Sequence, residues 1–283
     1  MKKIIFIADG HSYWLQEPIG NETLTTQIPS VGSTMKKMFP EFDVEYWLTH
    51  GAIKALIPKE LTAMRKKVGG GFKPKAELLF PPLMKMVDPQ AFFAERNKLK
   101  HAWNWKRTNK AFKGHAFHKK MQDAADIRQW VMNPFTEQKY DLVPHSCLYD
   151  NESRCENLID LPDGAYTELL VFNLDLWIAG QVDEVFIKTE RKKRKIWIND
   201  HKTNDERPDI TAPEYCYEPF DDLYNSKHVK YSVQISLYSY LMELAGFEVQ
   251  EIGYTFYPDY KIEEAELIPV GYMQKVCTEL VSI

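Results

Sequence analysis

A chain of 283 residues with 36 basic and 40 acidic side chains, a net charge of −4 and 44% hydrophobic content has the composition of a globular protein. It is long for one compact domain and short for two, which predicts a single α/β core with a helical elaboration, and its charge excludes a uniformly basic nucleic-acid coat, leaving only local patches to bind a polyanion. No run of 18 apolar residues occurs, and Met1 to Gly10 lacks the length and cleavage site of a secretory signal, so no membrane span is expected and the expected compartment is a cytoplasm.

In chain order, Ile4 to Ala8 and Tyr13-Trp14-Leu15 predict a β-hairpin turning at Asp9-Gly10. A short helix is expected from a cap at Ser33 or Thr34 through Met38, stopped by Pro40, and a second over Val44 to Leu56. Val68-Gly69-Gly70-Gly71-Phe72, with Pro74, reads as a connection. It lacks the Gly-Lys-Ser/Thr ending of a phosphate-binding loop, which argues against an NTP-hydrolysing motor and a bound nucleotide.

From Glu95 to Lys120 the chain carries Arg96, Lys98, Lys100, Lys106, Arg107, Lys110, Lys113, Lys119 and Lys120 against the single acid Glu95, interleaved with Trp103, Trp105, Phe112 and Phe117. Such a segment suits phosphates and unpaired bases, and it also suits a solvated helix with core aromatics. Lys106, Arg107, Lys110, Lys113, Trp103 and Trp105 are the candidate contacts. Gly114 is expected to open a helix over Ala116 to Trp130, ending before Asn133-Pro134, with His118, Met121, Ala125 and Arg128 on one mixed face and His115 a possible metal partner of His118.

Strands are expected over Tyr166 to Phe172, Trp177 to Ile187 and Lys195 to Lys202. In the first, Tyr166, Glu168, Leu170 and Phe172 share a face, leaving one carboxylate among apolar neighbours that needs a metal, a cation or water. In the second, Asp183 shares its face with Val185 and Ile187. In the third, Ile196, Ile198, Asp200 and Lys202 alternate with Trp197, Asn199 and His201. The run Arg191 to Lys195 is a solvated hairpin turn whose cations are candidate phosphate contacts. Pairing these strands can bring Asp183, Asp200 and Lys202 together, a trio able to hold a divalent metal and activate water, or simply an ion pair at a strand end. Asp205 to Asp222 reads as a loop, Lys230 to Ala245 as a helix stopped by Gly246, with Gln234 and Tyr238 on one face, and Gly253 to Tyr257 as a last strand. The four cysteines, Cys147, Cys155, Cys216 and Cys277, show no Cys-x-x-Cys and read as free thiols.

Helix with His118, strand with Glu168, Gly180-x-x-Asp183, Asp200-x-Lys202 and helix with Gln234-x-x-x-Tyr238 follow one another in an order that resembles the RecB-like branch of the PD-(D/E)xK nuclease superfamily over about Gly114 to Tyr257. His11-Ser12-Tyr13 and Ile28-Pro29-Ser30-Val31-Gly32-Ser33-Thr34 resemble the lead-in of phage-encoded and mitochondrial genome-maintenance exonucleases of that branch, where a Pro-Ser-Val-Thr stretch is usual and Gly32 here stands in the threonine's place. The resemblance implies a restriction-endonuclease-like core, a mixed sheet flanked by helices in the order α-β-β-β-α-β, over residues 111–283, preceded by a hairpin and helical DNA-engaging region over 1–110. It implies a metal-dependent deoxyribonuclease, an exonuclease more than an endonuclease, working in recombination, repair or replication. Such an enzyme uses one or two Mg²⁺ or Mn²⁺ ions and meets single-stranded DNA or a free end, with a recombinase or single-strand-binding protein as a possible partner.

In these terms Asp183, Asp200, the His201 backbone carbonyl and His118 are metal ligands, with Glu168 a weaker one. Lys202 sits beside the attacking water, Gln234 and Tyr238 position the scissile phosphate or the lysine, and Lys230 meets phosphate. Relatives that carry an iron–sulfur cluster hold it with clustered C-terminal cysteines, a pattern missing here, so no cluster is expected. The rivals are a structure-specific endonuclease of the same fold, a silent DNA-end-binding module, and a structural α/β protein whose charges are ion pairs.

Overall fold

The structure, a computed structural model, describes residues 3–7, 12–20, 22–144, 153–154 and 157–283. The elements are β1 (Lys3–Ile7), β2 (Ser12–Ile19), β3 (Glu22–Ile28), α1 (Val31–Met35), α2 (Val44–Leu56), α3 (Pro58–Lys67), α4 (Ala76–Met84), α5 (Pro89–Arg128), β4 (Trp130–Met132), β5 (Lys139–Asp141), β6 (Ser153–Arg154), β7 (Gly164–Asn173), β8 (Ile178–Glu190), β9 (Lys193–Asn204), α6 (Lys227–Leu244), β10 (Glu248–Pro258), β11 (Glu266–Val270) and α7 (Gln274–Ser282). Two compact units result. One comprises residues 1–40 with 117–283, the other residues 41–116. The N-terminal hairpin thus belongs with the sheet unit and not with the helical segment expected to follow it.

The central sheet has five strands in the order β11-β10-β9-β8-β7. Only β9 and β10 run parallel, joined through α6, and the other neighbours are antiparallel. One face buries Val182, Val185, Ile196 and Ile198 with Val31 of α1, Val233 and Leu237 of α6, and Cys277 and Leu280 of α7. The opposite face buries Phe186 and Trp197 with Ala125 of α5 and with the β4–β5 hairpin. This is a mixed sheet flanked by helices, as expected. The hairpin pairs Phe6 with Tyr13 and extends into a second sheet, β3-β2-β1-β6. Its expected turn at Asp9-Gly10, like His11, Cys147 and Cys155, lies outside the described residues. Cys216 and Cys277 are buried free thiols, and no helix of the described residues is long and apolar enough to cross a membrane.

Several boundaries differ from expectation for local reasons. Helix α1 is capped by Ser30, whose hydroxyl accepts from the Ser33 amide, and not by Ser33 or Thr34. Helix α5 runs unbroken through Gly114. One glycine disfavours a helix interior by only about 1 kcal/mol, which neighbouring turns absorb, and the helix ends at Arg128 before Gln129 in the left-handed region (φ 61°). The β8–β9 turn is a two-residue loop, Arg191-Lys192, with both φ positive at 50° and 66°. At the end of α6, Gly246 (φ 105°) lets the Phe247 amide reach the Met242 carbonyl and its own amide reach that of Glu243, closing a Schellman cap. Ser226 begins the same helix by accepting from the Val229 amide.

Candidate functional site

The alternation expected of β9 holds: Ile196 and Ile198 enter the α6-side core while Trp197 enters the opposite one. The alternation expected of β7 and β8 does not. On β7, Tyr166, Leu169 and Val171 face the α6 side, whereas Leu170 packs with the hairpin. On β8, Val182, Val185 and Ile187 face the α6 side. In each strand two residues intervene where one should, Thr167-Glu168 and Asp183-Glu184, and Glu168 sits in the left-handed region at φ 54°. Such a backbone in a residue with a Cβ is disfavoured by about 1–3 kcal/mol and persists only where the surroundings impose it. Both acids therefore leave the α6-side face, Glu168 parting from Tyr166 and Asp183 from Val185 and Ile187.

What they meet is His118. Its Nδ1 lies 3.4 Å from Glu168 Oε1 and 3.2 Å from Asp183 Oδ1. These three side chains each offer a ligand atom within 4.8 Å of the others and form a group able to hold a metal ion. The acids are nearly sealed, with side-chain exposures of 8% and 9%, while His118 keeps 23%, so water or a cation reaches the group from the imidazole side. His115 is exposed and is not part of this group.

Beside it, β8 and β9 part company. Their last pairing at this end is Glu184 with Asn199, and the next residues on the two strands are Asp183 and Asp200. The missing rung is replaced by a side chain: the His201 amide donates to Asp183 Oδ2 at 2.6 Å. Asp200 is buried, and its Oδ2 forms an ion pair with the Lys202 ammonium. Lys202 in turn donates to Gln234 Oε1 at 3.0 Å, and Gln234 Nε2 donates to the Tyr238 hydroxyl at 2.9 Å. The Lys202 ammonium also lies 4.7 Å above the Tyr231 ring. Tyr238 passes over Gly180, where a Cβ would come within 2.5 Å of its Cε1 and 3.1 Å of Val31 Cγ2. The Ile28-Pro29-Ser30-Val31 stretch runs along β8 here, Ala179 donating to the Pro29 carbonyl. Gly180 is therefore the one residue type that lets the tyrosine and the N-terminal segment close over β8.

The electrostatics follow from three carboxylates crowded into one buried place. Burial alone would lower the pKa of His118, but the Asp183 and Glu168 carboxylates override it and hold the imidazole well above its usual value. Burial and the Asp183 charge raise Glu168, and burial and Asp183 likewise raise Asp200 despite Lys202. Burial opposes ionisation of Asp183 too, yet His118, His201 and Lys202 hold it well below the usual carboxylate range. Burial would also lower Lys202, but Asp200 and Asp183 push it above the ordinary lysine value, so it stays an ammonium at any neutral pH.

Behind the group lies a network of side chains of which the sequence marked only His201, and that through its carbonyl. Glu184 accepts from Asn199 Nδ2 at 2.7 Å and faces His201 Nε2 at 3.4 Å. Thr255 on β10 donates to Asn199 Oδ1 at 3.0 Å, and the Tyr257 hydroxyl meets His201 Nδ1 at 3.3 Å. All five residues are buried. Their signal in the sequence is the opposite parity of Asn199 and His201 on β9, but their β10 partners lie 56 residues away.

Among the remaining candidates, Lys230 packs its ammonium 5.2 Å from the Phe39 ring, and burial lowers its pKa. In the basic turn, Lys193 pairs with Glu248, Lys195 with Glu190, and Arg194 folds back on the Ile159 and Leu161 carbonyls. Three of its five cations are thus engaged within the protein. In the helical unit, Trp103 is half-buried against Phe42, while Trp105, two residues on and so on another side of α5, is 71% exposed. No protein-family model matches the chain, and comparison with curated proteins returns no match.

Proposed function

We propose that this chain is a metal-dependent deoxyribonuclease, an exonuclease hydrolysing phosphodiester bonds at a free or single-stranded end, on a restriction-endonuclease-like core. The observation that carries the reading is the meeting, where β8 and β9 part, of the His118–Glu168–Asp183 donor group with a lysine held by Asp200 and Gln234. The succession α5, β7, β8, β9, α6, β10 also supports it, since it follows the order implied by the PD-(D/E)xK resemblance.

The donor set fits a hard divalent cation: carboxylate oxygens suit Mg²⁺, and Mn²⁺ tolerates an imidazole. The raised pKa values of Glu168 and Asp200 follow from burial beside the Asp183 charge, and a divalent cation among these carboxylates would relieve that repulsion. His118, Glu168 and Asp183 would hold the ion, with Asp200 and the His201 carbonyl completing the set. When bound, it supplies activation of water and neutralisation of charge developing on phosphate. Lys202 keeps its proton, so its part is to place a positive charge and N–H donors beside the nucleophile and the phosphate, not to accept a proton. Gln234 and Tyr238 fix where that ammonium stands.

Two measurements test this. Titrating Mn²⁺ or Mg²⁺ while following thermal unfolding should stabilise the wild type by about 2.7 kcal/mol at a hundredfold excess over Kd and leave Asp183→Ala unchanged. Digestion of 5′- and 3′-labelled linear and circular DNA should require the metal and fall at least roughly a hundredfold in Lys202→Ala, which retains the metal stabilisation. A wild type that neither responds to metal nor cleaves would refute the proposal. Cutting circular single strands as fast as linear ones would remove the exonuclease part.

A further inference from the structure

The helical unit carries an aromatic surface that the chemistry above does not use. Phe42 precedes Asp43, the N-cap of α2, and stacks on Trp47 with centroids 6.4 Å apart and planes at 8°. This pair is a hydrophobic staple, which explains the contact but not why Phe42 remains 62% exposed. Trp103 of α5 meets Phe42 at 5.7 Å, and Phe72 meets Trp47 at 5.3 Å while staying 50% exposed. Four rings therefore form one continuous patch whose outer members stand in water. Phe72 is presented by a fixed loop, since Arg65 donates to the carbonyls of Gly71 and Phe72 at 3.0 and 3.3 Å.

Cations border the patch. Lys100, Lys106 and Arg107 lie three or four residues from Trp103 and share its side of α5. All three are exposed, and none is in an ion pair among the described residues. Two of the acids beside the rings are already taken, Asp43 by Lys73 at 3.1 Å and Glu45 by Arg96, which leaves the exposed Glu41 against the three cations. Exposed ring faces next to unpaired cations are the chemistry of an unpaired nucleic-acid strand, whose bases stack while its phosphates are neutralised. A duplex hides its base faces, and an apolar protein segment would leave the cations without a partner.

We propose that Phe42, Trp47, Phe72 and Trp103 form a stacking platform for the unpaired bases of a single strand, with Lys100, Lys106 and Arg107 on its phosphates. The platform deepens the nuclease reading, on which it rests for its substrate, by specifying the strand state that the protein holds.

The test is fluorescence anisotropy of labelled oligothymidylate with the full chain in chelator, where no metal-dependent cleavage intervenes. Oligothymidylate should bind at least roughly tenfold tighter than an abasic oligomer of equal length or a blunt duplex. Phe42→Ala/Phe72→Ala should remove most of that preference while leaving abasic binding unchanged, and Lys106→Gln/Arg107→Gln should weaken both ligands and flatten the salt dependence. Both truncated rings are half in water, so melting temperature verifies the fold, and Phe72→Ala alone serves if the double variant does not fold. Equal binding of oligothymidylate and abasic oligomer, wild-type behaviour of the alanine variants, or no binding overturns the platform. Metal-dependent cleavage is scored separately: cleavage without base-dependent binding removes the platform and leaves the nuclease, and base-dependent binding without cleavage does the reverse.

Discussion

Replacing Gly180 by alanine tests the architecture of the site without presupposing its chemistry. The added methyl would sit 2.5 Å from Tyr238 Cε1 and 3.1 Å from Val31 Cγ2. Tyr238 cannot swing away cheaply, because it is a rigid ring, 5% exposed, inside the α6-side core. Overpacking of this kind destabilises by about 1–3 kcal/mol, which for a unit of this size lowers the melting temperature by about 2–12 °C. The displacement also propagates: Tyr238 holds Gln234, and Gln234 holds Lys202. If the proposed cleavage is found, it should therefore fall further than the loss of folded protein explains. Calorimetric melting of Gly180→Ala, Tyr238→Leu and the double variant closes the cycle, since leucine removes the ring atom that clashes. The double variant should be less destabilised than the sum of the two by about 1 kcal/mol. A Gly180→Ala protein that melts with the wild type, or strictly additive effects, would refute the close approach of Tyr238 to β8 as the reason for this glycine.

The remaining predictions concern protons, buried polar groups and caps. Without metal, His118, Glu168 and Asp200 all bind protons more tightly in the folded chain; the His118 contribution is complete below its unfolded value of 6.5 and disappears as pH rises through its elevated folded pKa. Melting temperature in chelator should thus fall across that window and the slope should flatten in His118→Gln; a slope unaltered by the substitution would count against the ion contacts. Because the same proton must leave for Nδ1 to ligate, Mn²⁺ affinity measured by calorimetry should rise with pH and binding should release protons, and pH-independent affinity would exclude His118 as a ligand. Glu184→Leu strands Asn199 and His201 and should destabilise by about 3–5 kcal/mol in chemical denaturation, against less for Glu184→Gln; a loss below that of the Gln variant would show the network to be dispensable. Ser226→Ala removes the α6 cap and should lower stability by about 1 kcal/mol, with no change in denaturation midpoint as the contrary result.

Local regularities make part of the site legible in the sequence. The alternation of Ile196, Ile198, Asp200 and Lys202 on β9 is a property of an undistorted strand, and Gln234 with Tyr238 is a property of helical spacing, so both stand where those periods place them. Helix α2 carries its own bounds, with Asp43 capping the Tyr46 amide at 2.9 Å. Expectation fails where neighbours overrule a local rule. Gly114 has the character of a break but lies inside α5. The acids of β7 and β8 leave the α6-side face because two residues intervene between core positions on each strand, and on β7 Glu168 takes a backbone that its own type disfavours.

By itself, then, the sequence determined the succession of the helix with His118, the three long strands and the helix with Gln234, and it placed Asp200 with Lys202 and Gln234 with Tyr238, because periodicity and short spacing suffice for these. The mixed sheet followed only from the family resemblance, and α3, α4, the β4–β5 hairpin, β11 and α7 had no counterpart among the expected elements. That Glu168 and Asp183 converge on His118, 50 and 65 residues earlier in the chain (168 − 118 and 183 − 118), was implied only by the family resemblance, and it is tertiary structure that brings them together. It also decided that Glu184, Asn199, Thr255, His201 and Tyr257 close behind them as one network. Those contacts depend on which rung of β8 and β9 is the last to pair and on where two strands each gain an extra residue between core positions. Both are set by packing between distant segments, which no local window of the chain contains.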